Sequence, residues 1–267
     1  MQNENKIRTL WLIGCGNMGS ALLARWIDAA ETIVVVDPGS PQLPKGVEHL
    51  PALPAGVLPR PDVVVLAVKP QVAPTALAGL PALVGPETVV VSIMAGTMLA
   101  DLAAFAGEAL PVRAMPNTPA AVGKGVTALY ANGISDDARV SVEALFERAG
   151  PTVWLESENQ FDAVTAVSGS GPAYVFRFIE ALAAAGEAAG LPSELAEKLA
   201  RATVVGAAAL AETDPRSPRD LRAAVTSPGG TTQAGLEALD ADPGLPALVR
   251  AAVRAAAARS KELAEGR

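Results

Sequence analysis

Residues 9–27 read TLWLIGCGNMGSALLARWI: a short apolar run, a glycine-rich turn and a segment typical of an amphipathic helix. The turn has the pattern G-x-G-x-x-G, directly after a predicted strand and at the start of a predicted helix. In that context Gly14 allows the tight turn, Gly16 lets a pyrophosphate approach the backbone, and Gly19 lets the helix pack closely on the strand. The stretch therefore predicts a dinucleotide-binding domain, the alternative being a purely structural turn.

The same stretch predicts where the dinucleotide lies. Asn17 and Met18 open the helix, so the free N–H groups and the positive end of its dipole face the pyrophosphate. A second apolar run, Thr32–Val36, follows and ends in Asp37. An acidic residue at this distance from the glycines suits a hydrogen bond to the adenosine ribose.

The composition limits the possible classes of protein. Of 267 residues, 50% are apolar and only 4% aromatic, so alanine, valine and leucine fill the core. The formal net charge is -7 and there is no basic tract, which argues against nucleic acid or an anionic membrane as a partner. The single cysteine, Cys15, cannot form an internal disulfide, and the polar stretch Met1–Arg8 does not resemble a signal peptide. We therefore expect a soluble, cytoplasmic protein.

Strand and helix patterns alternate over the first part of the chain. Continuous apolar runs at Asp62–Val68 and Thr88–Ile93 are typical of strands buried on both faces, and weaker strand patterns follow at Val126–Tyr130 and Thr152–Leu155. Ser135–Ala149 is predicted to be a helix. The alternation predicts an α/β fold with an N-terminal, Rossmann-like, doubly wound sheet that is mostly parallel.

The character of the sequence changes near residues 156–162. Beyond it the sequence predicts helices rather than strands, over Ala173–Ala189, Ser193–Thr213 and Leu245–Ala264. We therefore predict two domains, a dinucleotide-binding domain over residues 1–158 and an all-α dimerisation domain over residues 159–267. The proline-rich stretch Pro38–Pro61 is predicted to be a loop with little regular structure.

The helix predicted over Ala173–Ala189 carries apolar residues on more than one side. No single narrow stripe contains Val175, Phe176, Phe178, Ile179 and Leu182. Such a helix is buried on several faces. A small helical domain cannot bury many such helices alone, so we expect self-association, the alternative being a central helix in a compact bundle.

Further loops follow predicted strands and complete the expected cofactor site. Open α/β sheets bind ligands at the carboxyl ends of their strands, where AVKPQ at residues 67–71 and SIMAGT at residues 92–97 lie. Lys69 either approaches a phosphate or ribose or is simply solvated, and the small residues of the second loop either admit a flat nicotinamide ring or only form a turn. A third loop, residues 113–120, presents the amide of Asn117 between two prolines. The cofactor residues predicted from these loops are Ala67, Val68, Lys69, Pro70, Ala95, Gly96 and Asn117.

The helical half contains a polar, glycine-rich loop, SPGGTT at residues 227–232, immediately before a predicted helix. Its backbone N–H groups and hydroxyls are able to hold a carboxylate without an arginine. The alternative is a capped helix with Thr231 or Thr232 at the N-cap. A second helix start, SGSGP at residues 168–172, precedes the helix Ala173–Ala189.

Two common catalytic arrangements, a Cys/His metal site and a nucleophile–histidine triad, are not found in the sequence. The only histidine, His49, lies in the proline-rich stretch and is predicted to be a surface residue without a partner set. One cysteine and one histidine exclude a Cys/His metal site, and no nucleophile–histidine triad is evident. Hydride transfer from a nicotinamide needs little acid–base help, because the cofactor carries the reactive atom and the protein positions it.

The sequence resembles the pyrroline-5-carboxylate reductase family in five motifs that occur in the family's order. They are IGCGNMG at 13–19, AVKPQ at 67–71, MPNTP at 115–119, SGSGPAY at 168–174 and VTSPGGTT at 225–232. The first motif is shared with other dehydrogenases, whereas the last is specific. The chain departs from the family after Asp37, where an asparagine that contacts the adenosine ribose has no clear equivalent.

The resemblance implies a function and a set of site residues. It implies that a homodimer, in some relatives a decamer, reduces 1-pyrroline-5-carboxylate to L-proline with NADH or NADPH. It also implies that the loop before the second-domain helix, donated by the partner subunit, holds the substrate carboxylate, with Thr232 at the substrate nitrogen. The implied substrate-binding residues are Ser227, Gly229, Gly230, Thr231 and Thr232.

Other classes of protein share parts of this pattern. A β-hydroxyacid dehydrogenase has the same glycine pattern and a helical second domain, but uses a lysine on a helix of that domain. No lysine occurs between Ser168 and Gly190. An imine reductase relative and a non-catalytic nucleotide sensor are further alternatives, and the sensor would not need the loop over residues 227–232.

Asp37 also bears on the choice of cofactor. A carboxylate accepts a hydrogen bond from the ribose 2′-OH and repels a 2′-phosphate, and the next cationic residue is Lys45. These features predict a weak preference for NADH. The alternative is that Asp37 only caps the turn, and that Ser40 and loop N–H groups accept the phosphate.

Overall fold

An eight-stranded sheet organises the first part of the chain. The computed structural model describes residues 7–55 and 59–266. The strands within these residues are β1 (Ile7–Ile13), β2 (Ala30–Val36), β3 (Glu48–Leu50), β4 (Val63–Leu66), β5 (Val89–Ser92), β6 (Leu110–Met115), β7 (Thr127–Tyr130) and β8 (Thr152–Trp154). Their order is β3-β2-β1-β4-β5-β6-β7-β8, and each neighbouring pair is parallel except β6 with β7. The predicted mostly parallel sheet is confirmed.

Helices connect the strands and make up the rest of the chain. The α-helices of the described residues are α1 (Asn17–Trp26), α2 (Ala73–Ala76), α3 (Leu99–Ala106), α4 (Asp136–Glu147), α5 (Phe161–Val164), α6 (Gly171–Ala188), α7 (Ser193–Thr213), α8 (Pro218–Ala224), α9 (Thr231–Asp240) and α10 (Leu245–Ala264). A π-helical turn, Thr165–Gly169, precedes α6. By their contacts the residues form two compact units, one up to Gly169 together with the segment from Ala256, and one over Ser170–Ala255.

Both faces of the sheet are covered, which explains its continuous apolar strands. All residues of β4 and β5 are buried. On one face, α1 and α4 bring Trp26 and Phe146 together edge to face, with ring centroids 5.4 Å apart. The Trp26 indole donates a hydrogen bond to the carbonyl oxygen of Leu145 (2.8 Å), which satisfies its buried N–H. On the other face α2 and α3 contribute Leu77 and Leu102, so the sheet is doubly wound.

The described part of the proline-rich stretch has little regular structure, as predicted, apart from one short strand that the sequence does not mark. Glu48–Leu50 form β3, a strand at the edge of the sheet that pairs in parallel with β2. The strand is short, its side chains are largely exposed, and Pro44 and Pro51 flank it, so no apolar pattern marks it. Residues 56–58, which the same prediction covers, lie outside the described residues.

The sequence also does not predict β6 or α3. Arg113, Ala114 and Met115, expected to open a loop, instead end β6, where Arg113 is paired with Ser92 on β5. A proline and an arginine interrupt the apolar pattern of this strand, which therefore resembles a loop in sequence. Helix α3 begins without a side-chain cap, so it lacks the usual start signal.

The helices of the second unit bury few side chains within one chain. No residue of α6, α8 or α9 is buried, and α7 buries only Ala196 and Ala200. On α6, Phe176 is 60% exposed, and Val175 and Phe178 are exposed as well. The alternative of a central helix in a one-chain bundle is therefore wrong, and an apolar surface of this kind is typical of an interface. None of the helices in the described residues is both long and apolar enough to span a bilayer.

Candidate functional site

Four neighbouring strands end in register at one edge of the sheet. Ile13 on β1 is paired with Val36 on β2 and with Leu66 on β4, and Leu66 is paired with Ser92 on β5. The strand order reverses between β1 and β4, so this edge is the crevice in which open α/β sheets bind their ligands. The structure thus brings together the residues that follow the four strands, Gly14, Asp37, Ala67 and Ile93.

The glycine-rich turn combines two positions without room for a side chain and one that is open. Gly14 has a φ of +95°, and a Cβ atom there would lie 2.7 Å from the backbone of Ala67. A Cβ at Gly19 would collide with the carbonyl oxygen of Gly14, so this glycine lets α1 approach the turn. At Gly16, by contrast, a Cβ would meet no atom within 4 Å. The backbone of Gly16 is therefore accessible, as the predicted pyrophosphate contact requires.

Helix α1 begins at this open position. Gly16 is its N-cap and supplies no side-chain cap, and the first turn contains no acidic residue. Gly16 and Asn17 are exposed, and Met18 is half-buried. The free N–H groups and the dipole of such a helix start favour an anion. The residues present therefore fit the pyrophosphate of a dinucleotide.

The Asp37 carboxylate ties the glycine-rich turn to the end of β2. One oxygen accepts a hydrogen bond from the N–H of Cys15 (2.7 Å), and the other accepts one from the N–H of Gly39 (2.8 Å). Asp37 therefore does cap its own turn, yet each oxygen keeps a second lone pair for a ribose hydroxyl. Burial, together with the charge of Asp37, raises the pKa of the Cys15 thiol, so this thiol stays protonated near neutral pH.

His49 is exposed, as predicted, and its one hydrogen bond in the described residues is to the backbone. Its Nε2 atom lies 2.9 Å from the carbonyl oxygen of Asp37. Because a carbonyl oxygen only accepts, Nε2 carries the hydrogen in this contact. The imidazole therefore borders the end of β2, next to the predicted ribose position.

The loops after β4 and β5 line a common cavity of about 420 Å³. Pro70 and Gln71 border it from the first loop, and Ala95 and Gly96 from the second. Lys69 precedes a short 3-10 turn and is exposed. Of the predicted cofactor residues in the two loops, Pro70, Ala95 and Gly96 thus border one cavity.

Asn117 is buried and already hydrogen-bonded within the protein. Its Oδ1 atom accepts a hydrogen bond from the N–H of Val126 (3.0 Å), and its Nδ2 atom donates one to the carbonyl oxygen of Ser168 (3.1 Å). Asn117 thereby joins the loop after β6 to the π-helical turn Thr165–Gly169. One hydrogen of Nδ2 is left for a ligand, so its contact with a cofactor stays a prediction.

An ion pair that the sequence does not predict links β6 to the turn before α5. The guanidinium of Arg113, which is 7% exposed, lies 2.9 Å from a carboxylate oxygen of Glu158. The same oxygen accepts a hydrogen bond from the N–H of Leu99 at the start of α3 (2.6 Å), and the guanidinium lies 4.1 Å above the ring of Phe161. Charges this buried are tolerated when several groups satisfy them. No sequence signal marks this pair, because Arg113 was predicted to lie in a loop and not in a strand.

The loop over residues 227–232 lies in the second unit, at the start of α9. Its N-cap is Gly230, without a side-chain cap, so the alternative of a threonine cap is wrong. The N–H of Gly229 donates to Oε1 of Gln233 (2.7 Å), which shapes the turn. Thr231 and Thr232 are exposed, and neither hydroxyl has a hydrogen bond to the described part of the chain. Free N–H groups and two hydroxyls at a helix start fit a carboxylate.

Comparison with known proteins identifies the family. A family model described as pyrroline-5-carboxylate reductase dimerisation matches residues 158–263, and one described as NADP oxidoreductase, coenzyme F420-dependent, matches residues 9–96. The pyrroline-5-carboxylate reductase of Pseudomonas aeruginosa is 43% identical over 264 residues, which are 95% of this chain and 96% of that protein. The chain belongs to the pyrroline-5-carboxylate reductase family. The family's member from Synechocystis is 42% identical, over 95% of this chain and 97% of that protein.

Solved structures of the family agree with this assignment. A pyrroline-5-carboxylate reductase from Coxiella burnetii has a TM-score of 0.87 at 35% identity, covering 97% of this chain and 98% of that one. The Plasmodium falciparum pyrroline carboxylate reductase with NADP bound has a TM-score of 0.79 at 29% identity, over 97% of this chain and 99% of that one. The resemblance predicted from the five motifs is confirmed, and the β-hydroxyacid dehydrogenase alternative is excluded.

Replacing Gly16 with alanine is expected to weaken cofactor binding and leave the fold intact. The new methyl group meets no protein atom within 4 Å, but it occupies the space expected for the pyrophosphate. The Kd for NADH, measured through the fluorescence of the cofactor, should rise at least tenfold, about 1.4 kcal/mol. The Tm should not change.

Gly14→Ala is the contrasting variant. Its positive φ costs about 1–2 kcal/mol for an alanine, and the methyl group also collides with the backbone of Ala67. The Tm should therefore fall by several degrees. Equal Tm losses in the two variants, or an unchanged Kd for Gly16→Ala, would contradict the separate roles given to these glycines.

Proposed function

We propose that this chain reduces 1-pyrroline-5-carboxylate to L-proline by hydride transfer from NAD(P)H, the last step of proline biosynthesis. Membership of the family, over 95% of the chain, supports this reaction. The structural observation that carries it is the in-register end of four strands, which sets the glycine-rich turn, Asp37 and two small-residue loops along one edge. On this proposal residues 1–158 bind the cofactor, and residues 159–267 bind substrate and dimerise.

The cofactor is assigned to the carboxyl edge of the sheet. The turn and the start of α1 hold the pyrophosphate, Asp37 holds the adenosine ribose, and the loops after β4 and β5 receive the nicotinamide end. The proposed cofactor-binding residues are Gly14, Gly16, Asn17, Met18, Gly19, Asp37, Ala67, Val68, Lys69, Pro70, Ala95, Gly96 and Asn117.

The protein contributes position rather than acid–base chemistry. When bound, the reduced nicotinamide supplies the hydride that forms the new C–H bond at the imine carbon. Because the substrate nitrogen is protonated as an iminium, this carbon is already electrophilic, and the nitrogen keeps its proton in the product. The catalytic residue is Thr232, whose hydroxyl accepts a hydrogen bond from that nitrogen. The N–H groups and hydroxyls of Ser227, Gly229, Gly230 and Thr231 hold the substrate carboxylate and so fix the carbon over the ring.

The proposed reaction is tested directly by the loss of NAD(P)H absorbance with and without 1-pyrroline-5-carboxylate. Turnover should depend on the imino acid, and L-proline should accumulate in equal amount. A protein that binds NAD(P)H but oxidises none on addition of the imino acid would instead be the non-catalytic sensor. Reduction of acyclic or uncharged imines at similar rates would favour the imine reductase alternative.

Thr232→Val should lower turnover and leave cofactor affinity nearly unchanged. The hydroxyl has no role within the described chain, so its loss removes only a contact in the reacting complex, worth about 1–3 kcal/mol. The kcat/KM for the imino acid should fall accordingly, while the Kd for NADPH stays the same.

Thr213→Val is the matched control for this variant. The Thr213 hydroxyl donates to the carbonyl oxygen of Ala209 in its own helix (3.1 Å), outside the proposed site. Its kinetics should match those of the unaltered protein. A Thr232→Val enzyme with unchanged kcat/KM would remove Thr232 from the mechanism.

The active form is proposed to be at least a dimer assembled through the helical half. A dimerisation family model matches residues 158–263, and the exposed Val175, Phe176 and Phe178 of α6 supply apolar surface for a partner. As in the family, the loop over residues 227–232 would complete the site of the partner subunit. A decamer built from such dimers, as in some relatives, is left open as the alternative to a dimer, and a cytoplasmic location is proposed from the sequence.

Mixing two impaired variants, assayed at a subsaturating NADH concentration, tests whether the site is shared between subunits. Gly16→Ala damages the cofactor half and Thr232→Val the substrate half. If the halves come from different subunits, each mixed dimer contains one intact site, and re-equilibrated mixtures should recover about a quarter of full activity. Each variant alone gives the baseline. No recovery in mixtures shown to contain mixed dimers, or an active monomer in light scattering, would refute the shared site.

A preference for NADH is proposed from Asp37. Its carboxylate lies at the end of β2 with lone pairs left for a 2′-OH, and its charge opposes a 2′-phosphate. The hydrogen bonds to Cys15 and Gly39 show that it also shapes the turn. Because of this second role, an experiment must separate the effect of the Asp37 charge on cofactor preference from its effect on the shape of the turn.

Asp37→Ser should shift the preference toward NADPH by about 1–3 kcal/mol, the scale of a charge-assisted hydrogen bond. Asp37→Asn removes the charge but retains one acceptor oxygen for the turn, so it should show most of the same shift. Both are measured as the ratio of kcat/KM for NADPH and NADH. A clearly higher kcat/KM for NADPH in the unaltered enzyme would contradict the proposed preference.

A further inference from the structure

The end of α10 packs on the loop that follows β5. A Cβ atom at Gly96 would lie 3.5 Å from the N and Cα atoms of Ala264, so the two backbones are separated by no more than one methyl group. One turn earlier, the Ser260 hydroxyl donates a hydrogen bond to Oδ1 of Asp162 on α5 (2.7 Å). The contacts belong to the sheet-containing unit, which includes the chain from Ala256.

Helix α5 is a fixed anchor for this contact. Phe161, which precedes Asp162, is buried under the guanidinium of Arg113. Glu158, just before the helix, accepts hydrogen bonds from Arg113 (2.9 Å) and from the N–H of Leu99 (2.6 Å). The segment over Glu158–Asp162 thus has two attachments. Glu158 holds the end of the loop after β5, at Leu99, and Asp162 holds the end of α10, at Ser260.

The end of α10 also borders the cavity that the loops after β4 and β5 share. Ser260 and Leu263 line it together with Pro70 and Gly96. Leu263 is 56% exposed, so its side chain is a wall of this open cavity and not part of the core.

The position of the cavity identifies the part of the cofactor that it would receive. The pyrophosphate site is at α1, and the adenosine extends from it toward Asp37 at the end of β2. The other half of a dinucleotide extends in the opposite direction, over β4 and β5, where the strand order has reversed. The cavity lies on that side.

We propose that residues 260–264 form a wall of the nicotinamide end of the cofactor site, held there by the positioning pair Ser260 and Asp162. Leu263 gives the ring an apolar surface, and the backbone at Ala264 limits the movement of Gly96. This inference rests on the proposed cofactor site and adds the C-terminal segment to it.

Two ligands, NADH and ADP-ribose, distinguish an effect on the nicotinamide end of the site from an effect on the whole site. NADH occupies the whole site, whereas ADP-ribose has the adenosine, pyrophosphate and ribose but no nicotinamide. In Ser260→Ala the Kd for NADH should rise roughly three- to tenfold, the loss expected for one hydrogen bond, and the Kd for ADP-ribose should not change. Leu263→Ala should act in the same direction, and because its side chain is largely exposed the fold should survive.

Two further variants serve as rescue and control. Ser260→Thr keeps the hydroxyl and should restore NADH binding. Arg259→Gln lies just before this segment and alters only an exposed pair with Glu262 (2.7 Å), so it should bind both probes normally.

The outcomes distinguish this inference from the proposed function. An unaltered protein that binds neither probe overturns the cofactor site itself. If the unaltered protein binds both probes but the Kd for NADH is unchanged in both Ser260→Ala and Leu263→Ala, the proposed role of residues 260–264 at the nicotinamide end is overturned. Equal weakening of NADH and ADP-ribose in these variants also overturns it, because it indicates a general structural role.

Discussion

The close contact between Gly14 and the end of β4 is the constraint on which the nucleotide crevice depends. The N–H of Gly14 donates to the carbonyl oxygen of Val36 (2.8 Å), and the N–H of Ala67 donates to that of Ile13 (2.7 Å). The turn is thus an extension of the hydrogen-bonding of three strands. Because the sheet fixes the turn, it also fixes the start of α1, and its N–H groups are arranged before any ligand arrives. Such pre-organisation reduces the entropy that binding must overcome.

The sequence predicts β4 and β5 most clearly and misses β3 and β6. β4 and β5 are buried on both faces, so all their residues except Ser92 are apolar and the pattern is clear. β6 is just as central in the sheet, but Arg113 interrupts it, and only the fold reveals that Glu158, 45 residues later, neutralises that charge. Similarly, the short edge strand β3 receives its hydrogen bonds from β2 and not from any strong preference of its own residues.

The candidate site follows the same division between local and distant causes. The roles of Gly14, Gly16 and Gly19 could be predicted because their spacing itself marks the turn, although the backbone that Gly14 approaches is that of Ala67. The contact of Ala264 with Gly96 could not be predicted. Nothing in either segment indicates that these two parts of the chain, so far apart in sequence, meet. For the helical half, the apolar residues of α6 predicted an interface. Which helix faces pair between the subunits depends on both chains together. The apolar pattern of one chain therefore does not predict this pairing.

The hydrogen bond between His49 and the backbone of Asp37 provides a spectroscopic consequence. Since the chain has one histidine, an NMR spectrum contains a single set of imidazole resonances for each equivalent subunit. That set reports on the strand end where the ribose is expected, without any label or mutation. Chemical shifts of one ring thus follow nucleotide occupancy at the adenosine end, while the bulk of the spectrum stays crowded with alanine and valine signals.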